Sequence, residues 1–523
     1  MFTSLRRLTA FAIVVALFGA ACSAVGAGDT TLPPPDEVTT TAVPSAPVAE
    51  ATTTTIASPA VTTTSTTSTT TTTLPMRAEG EVPAWTVGEP WGEVKGLTMF
   101  RGNPTRTFYG SGPIPQQQPR VLWRFPESPM CGTSSVAGEA KQWCGSGWTG
   151  QPVVWERDDG VTEVIFGAYD KRIHFLDADT GERLRSDFFM GDIVKGSVTL
   201  DPDGFPLVYA GSRDPNFRII ALDGDEPTEL WSLPASAVSG MWNNDWDSNA
   251  VIIDDVLFLG GENSWWFAVG LNRGYDAAGK VTVDPEILYS TPAWTEELVG
   301  RVGRQQSVES STAVFGTTAY FANSAGRVVG VDTSQVRSGE GEIVFDFWMG
   351  DDVDSTIVID DEGMLYVSAE VDLNTARGRE VGQVVKLDPS RPDDPLVWRV
   401  AVPATTVDGG IWATPALVGS VLFMPTNPGD LLAVDTETGE VLWSDEIGIN
   451  AWSSPVHVDD TLVVAVNCEP RPALRAYDVS DPSVLQLLWE LPVGGGCIES
   501  TPAVWNGRLY VGSRDGYFYA IGE

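Results

Sequence analysis

The phrase "LLAVDTETGEVLWS" at residues 431–444 constrains the fold of this chain more than any other feature. It reads as a strand, a tight turn and a second strand ending in Trp443. Echoes occur at "IHFLDADTGERLRS" (173–186), "IIALDGDEPTELWS" (219–232), "VVKLDPSRPDDPLVW" (384–398) and "RAYDVSDPSVLQLLW" (475–489). A second column recurs at the start of each unit: "WTGQPVV" (148–154), "VKGSVTL" (194–200), "WDSNAVI" (246–252), "VESSTAV" (308–314), "VDSTIVI" (353–359), "WATPALV" (412–418), "WSSPVHV" (452–458) and "IESTPAV" (498–504). These eight units stand 40 to 62 residues apart, and no long 3.6-period segment interrupts them. Four short strands per unit at this period predict an all-β, eight-bladed β-propeller of four-stranded antiparallel blades over residues 121–523. The eighth unit stops after "YFYAIGE" with three strands, while "VLWRF" stands alone at 121–125. Pairing that strand with the C-terminal blade closes the ring and removes the open sheet edges.

Within the phrase, Asp435, Thr438 and Gly439, like Asp177, Thr180 and Gly181, offer side-chain acceptors and a positive-φ position for a tight turn. Trp123, Trp231, Trp398, Trp443 and Trp489 offer large apolar surfaces suited to packing between neighbouring blades.

The phrase resembles the AxDxxTGxxxW repeat of the quinoprotein (PQQ-binding-like) propellers, over about 121–523. A lead-in at 81–120 contains "GLTMFRGNPTRT" (96–107), similar to the segment before the first blade of those proteins. The family holds PQQ-dependent dehydrogenases and non-enzymatic lipoprotein propellers such as the outer-membrane β-barrel assembly subunit. The resemblance implies a fold and leaves the two functions open. The chain lacks the adjacent cysteines that pack on the quinone in the large alcohol dehydrogenases, and it has no CxxCH haem motif. Only His174 and His457 occur, both alternating with apolar residues in strands. That argues against a histidine general base, a Ser-His-Asp or Cys-His arrangement and a His-rich metal centre. The expectation is a non-enzymatic binding or scaffold protein that requires no cofactor. A PQQ- and Ca²⁺-dependent dehydrogenase of alcohols or sugars and a purely structural wall component are the alternatives.

Seventy acidic against 32 basic residues give a net charge of −38. Such a surface repels nucleic acid and anionic lipid, so a nucleic-acid partner is excluded. The start of the chain, "MFTSLRRLTAFAIVVALFGAAC", has the basic and short apolar regions of an export signal. Its Gly19-Ala20-Ala21-Cys22 end resembles a bacterial lipoprotein signal, with Gly19 where that pattern prefers a larger aliphatic residue. The expected layout is a signal over 1–22, acylation at Cys22 and a disordered Thr/Pro/Ser-rich tether over 23–80. It places the protein in the cell envelope, held to the membrane through the N-terminal lipid only.

The four cysteines beyond Cys22 are expected to form two disulfides. Cys131 and Cys144 share one fourth-to-first-strand loop. Cys468 and Cys497 fall in two loops of the same face, in adjacent units. Hence Cys131–Cys144 and Cys468–Cys497 are the predicted pairs. That face also carries the long loops 126–148, 233–246, 290–308 and 402–412, and ordered loops on a rigid scaffold are the usual carriers of binding. In the aligned column the second residues are Thr149, Lys195, Asp247, Glu309, Asp354, Ala413, Ser453 and Glu499, expected to ring the channel mouth. Asp247, Glu309, Asp354, Glu499 and Lys195 are the candidate ligand or metal residues, with Asp245, Asp351 and Asp352 close by; converging carboxylates suit Ca²⁺ or a cationic ligand. Trp148, Trp246, Trp412 and Trp452 are the candidate stacking faces for a sugar or planar ligand. The partner is then a small or carbohydrate ligand or an envelope protein, and a monomer is expected.

Overall fold

Strands one to three of each unit are nearly continuous apolar runs, as in "VLFMP" and "LLAV", whereas the fourth mixes apolar and charged residues. The computed structural model, which describes residues 77–136, 139–405, 408–468 and 471–523, shows why. In the sixth blade, Ala416–Val418, Val421–Pro425 and Asp430–Asp435 are mostly buried, and Val441–Glu446 forms the exposed rim. Eight such sheets are present, and six of them are four-stranded with strands in sequence order. The first and eighth each gain an inner strand from the lead-in: Gly96–Leu97 antiparallel to Val153–Glu156, and Gly110–Ser111 parallel to Ala503–Trp505. The ring closes as expected, with Arg120–Phe125 antiparallel to Phe518–Gly522. The export signal, Cys22 and tether residues 23–76 lie outside the described residues.

Seven of the eight rim strands carry the same irregularity. One residue is skipped in the pairing immediately before the aromatic: Leu122, Leu230, Leu288, Val344, Val397, Leu442 and Leu488. A bulge bends and twists an edge strand and so breaks the flat row of free N–H and C=O groups that invites edge-to-edge pairing. It also throws Trp398, Trp443 and Trp123 across to the next blade, and Trp489 to the lead-in. Trp398 Nε1 donates to the Thr436 carbonyl at 2.8 Å, Trp443 to Pro482 at 2.8 Å, Trp489 to Pro115 at 2.8 Å and Trp123 to Ala178 at 3.1 Å. The turn and the tryptophan of the phrase are therefore the two halves of one inter-blade joint.

Gly439 shows how tight that joint is. It sits at φ 74°, and a Cβ there would lie 2.9 Å from the Trp398 ring. Gly439→Ala is expected to cost about 2–3 kcal/mol, combining left-handed strain with a displaced indole. Gly160, at φ 85° with open space around it, separates the two contributions. Gly160→Ala should cost only about 1 kcal/mol, the backbone part, in chemical denaturation.

The lead-in crosses the centre of the ring as a plug. Arg101 and Arg106 are fully buried, at φ 57° and 64°, and neither meets a carboxylate. Their guanidinium groups donate to carbonyls of the inner strands. Arg101 reaches Pro455 at 2.7 Å and also Thr414; Arg106 reaches Thr312 at 2.9 Å and the Asn249 amide oxygen at 3.1 Å. Burial pulls the Arg101 pKa down to about 10 and the Arg106 pKa to about 9.

Both disulfides are present as paired above. Cys131 and Cys144 are cross-strand partners in a hairpin of Cys131–Val136 and Glu139–Cys144. The long-loop face holds a further excursion at 369–383 with the short helix Ala376–Val381. The opposite face is less plain than the sequence suggests, since it carries a small hairpin of Gly274–Tyr275 and Val281–Thr282.

Candidate functional site at the channel mouth

A relay of hydroxyl groups fixes the register of the inner strands. The backbone N–H of Asn249 donates to Ser311 Oγ, Ser311 to Thr356 Oγ1, Thr356 to Thr414 Oγ1, Thr414 to Ser454 Oγ and Ser454 to Thr501 Oγ1, at 2.9–3.4 Å. Gln151 bonds Ser197 in the same way. Residues two positions earlier in each strand then form one equivalent ring: Thr149, Lys195, Asp247, Glu309, Asp354, Trp412, Trp452 and Glu499. In the sixth and seventh blades the mouth is thus occupied by Trp412 and Trp452, not by Ala413 and Ser453. The segment before the strand is one residue shorter there, and a one-residue slip turns a side chain to the other face.

The same register corrects Trp246. It falls in the column of Val194, Val308, Val353 and Ile411, which point into the blades. It is 1% exposed, packed against Phe217 and Phe267 at centroid distances of 6.0 and 5.8 Å. It offers no stacking face. Trp148 occupies the corresponding position in the first blade, but Thr149 next to it takes φ 62° and re-aims the chain. Half-buried Trp148 lies 5.0 Å from Trp412 and 5.6 Å from Trp452, which are 4.4 Å apart edge to face. Three of the four predicted tryptophans form one cluster over the mouth.

Opposite them the acids gather. Lys195 Nζ pairs with Asp247 and lies 3.6 Å from Glu262 Oε1 and 5.6 Å from the Trp148 ring. One oxygen each from Asp247, Glu262 and Glu309 falls within 4.8 Å of the others, and the Lys195 ammonium stands beside this group. Trp412 Nε1 donates to Asp354 Oδ2 at 2.8 Å, joining the aromatic and acidic halves. Burial, then repulsion from Asp354, pushes Glu309 up to about 8, with Lys195 opposing. Burial and Asp247 push Asp245 up to about 7, although Arg213 lies 2.7 Å away. Glu262, Asp352, Asp354 and Glu370 are raised as well, chiefly by burial. Lys195 is held charged: burial opposes the charge, and Asp247, Glu262 and Glu309 outweigh it.

Glu499 stands apart, 3.1 Å from Arg514 Nη1, whose guanidinium lies over Trp143 and Tyr169. Asp351 is a scaffold group, accepting the backbone N–H groups of Asp372, Leu373 and Asn374 at 2.8–3.0 Å. Glu262 and Glu370, which follow the second strands of the third and fifth blades, escape the sequence reading. Their signal is an acid directly after an apolar strand, in "LGGENS" and "VSAEVD". Neither histidine belongs to this cluster. His174 is clamped between Asp170 and Asp187 at 3.1 and 3.0 Å, and burial pulls His457 down to about 4.

The family model described as outer membrane protein assembly factor BamB matches residues 380–485, the fifth blade to the seventh. Over that segment the chain is similar to the PQQ-like propeller repeats. Among solved structures, BamB from Moraxella catarrhalis is 14% identical with a TM-score of 0.50, covering 77% of this chain and 100% of its own. Quinohemoprotein alcohol dehydrogenase from Comamonas testosteroni is 14% identical with a TM-score of 0.51, covering 85% of this chain and 82% of its own. At such identities the likeness carries the propeller fold alone. No curated protein matches the sequence.

Proposed function

We propose that this propeller is a non-enzymatic, exported binding protein of the cell envelope, held to the membrane through Cys22, that takes its ligand at the loop-rich mouth of the channel. The observation that carries this reading is the union of an aromatic cluster and an acidic arc at one opening, joined by the Trp412–Asp354 hydrogen bond. The two disulfides support an oxidising, extracytoplasmic setting.

The same geometry is a poor match for a quinone dehydrogenase. PQQ carries three carboxylates, and buried Lys195 with half-buried Arg213 and Arg514 already face Asp247, Asp245 and Glu499. A tricarboxylate would meet an arc of acids with no unpaired partner in this set. The Ca²⁺ expected at Asp247 and Glu309 would have to displace the Lys195 ammonium. The test uses protein recovered from the membrane fraction and reconstituted with PQQ and Ca²⁺. The expected result is no stoichiometric quinone absorbance and no dye reduction with alcohols or sugars. Dye-linked turnover, or recovery of the protein only from the medium with an N-terminus beyond Cys22, contradicts the proposal.

A further inference from the structure

The acidic arc has two parts that differ in one respect. In the part built by the third and fourth blades, Asp247, Glu262 and Glu309 share the Lys195 ammonium, which also approaches the Trp148 ring. In the part built by the fifth blade, Asp352, Asp354 and Glu370 pair with no basic side chain among the described residues. Asp352 is 6% exposed. Its Oδ1, Asp354 Oδ1 and Glu370 Oε1 are all buried without a hydrogen-bond donor. The adjacent sixth blade adds another orphan acceptor. Asn427, 3% exposed, donates through Nδ2 to Gly409 beside the Glu370–Gly410 strand bridge, and its Oδ1 has no donor. Half-buried Trp412, tied to Asp354, supplies the aromatic ring next to these acceptors.

Buried acceptors without donors are costly, and an array of them beside an aromatic ring is the surrounding that a desolvated cation needs. The chain itself shows which cation: Asp247 and Glu262, whose Oδ1, Oδ2 and Oε1 also lack a hydrogen-bond donor, are neutralised by the Lys195 alkylammonium beside the Trp148 indole. We propose that Asp352, Asp354 and Glu370, with Trp412, bind a primary ammonium group of a ligand as the neighbouring acids hold Lys195. This rests on the binding-protein reading above and names the ligand class: a small molecule carrying an amine on an apolar or sugar-like body. The ammonium donates hydrogen bonds to orphan oxygens of this group, and its carbon stem lies against the indole.

Titration of the intact protein with n-butylammonium, followed by tryptophan fluorescence and calorimetry, tests the proposal, with n-butanol as uncharged isostere and Ca²⁺ as competing cation. Saturable one-to-one binding of butylammonium is expected, with no response to butanol. Asp352→Asn and Glu370→Gln should each weaken it at least about ten-fold, and Trp412→Leu should weaken binding with a smaller fluorescence change. Circular dichroism and thermal melts establish that each variant folds; if Asp352→Asn does not, Glu370→Gln decides. Absence of saturation, saturation by Ca²⁺ alone, an equal response to butanol, or wild-type affinity in the folded carboxamide variants overturns the proposal. The quinone reconstitution distinguishes the two levels. Quinone uptake removes the parent reading, whereas failure of ammonium to bind without quinone uptake removes only this one.

Discussion

Replacing Arg106 by Ala is expected to destabilise the propeller by more than about 4 kcal/mol, with an early loss of the lead-in. Two losses combine there. The guanidinium donates to the carbonyls of Thr312 and Phe100 and to the Asn249 amide, and those acceptors would be stranded where water does not reach. Each stranded buried acceptor costs about 1–3 kcal/mol. A large buried side chain would also leave a cavity. The backbone supplies an internal check, because Arg106 holds φ 64°, where a Cβ is strained by about 1–2 kcal/mol. Arg106→Gly should therefore be less damaging than Arg106→Ala by about 1 kcal/mol, the reverse of the usual order. Chemical denaturation of the two variants, with limited proteolysis to follow the lead-in, measures both effects. If Arg106→Ala melts like the wild type, the lead-in is an ornament rather than the central tie of the ring.

That role was invisible in the sequence for a physical reason. "GLTMFRGNPTRT" stood out by its resemblance to a known lead-in, yet nothing in its composition says that its arginines are buried, and arginine is normally a surface residue. The propeller was legible because one joint, a bulge before an aromatic and a glycine turn to receive it, is repeated around the ring and leaves a periodic imprint. The disulfide pairs followed from that topology. The mouth was legible only where the first residue of the repeat column, such as Val194 or Val308, keeps the same spacing to its inner strand, which brought out Lys195, Asp247, Glu309 and Asp354. In the sixth and seventh blades a one-residue difference put Ala413 and Ser453 where Trp412 and Trp452 belong, and it takes the hydroxyl relay to reveal the slip. Trp246 and Trp148 are identical in the sequence column and opposite in role, since the turn at Thr149 alone separates them. Glu262 and Glu370 lie 15 and 16 residues past Asp247 and Asp354 in sequence. They come back to the mouth only because the first two strands of each blade fold into a hairpin.

Lys195→Met is expected to be the most pH-dependent lesion in the molecule. The ammonium faces Asp247, Glu262 and Glu309, and removing one partner of a buried ion pair costs about 3–5 kcal/mol when the other stays charged. The carboxyls can escape by taking up protons, and the direction of their shifts sets the sign. Glu309 is raised to about 8 and Asp245 to about 7 in the folded protein, while both ionise near 4 once unfolded. The native state therefore binds more protons than the unfolded state between those limits, and stability falls as pH rises from about 4 to about 8. The wild type should already show this slope, with Lys195 limiting the rise of Glu309, Glu262 and Asp354. Without Lys195 those carboxyls hold their protons to higher pH. The penalty of Lys195→Met should then be close to its full value of about 3 kcal/mol or more at pH 8 and shrink toward pH 5. Melting curves of both proteins across that range decide the matter. A penalty that stayed constant with pH would show that Lys195 acts through packing against Trp148, and that the acids of the mouth titrate independently of it.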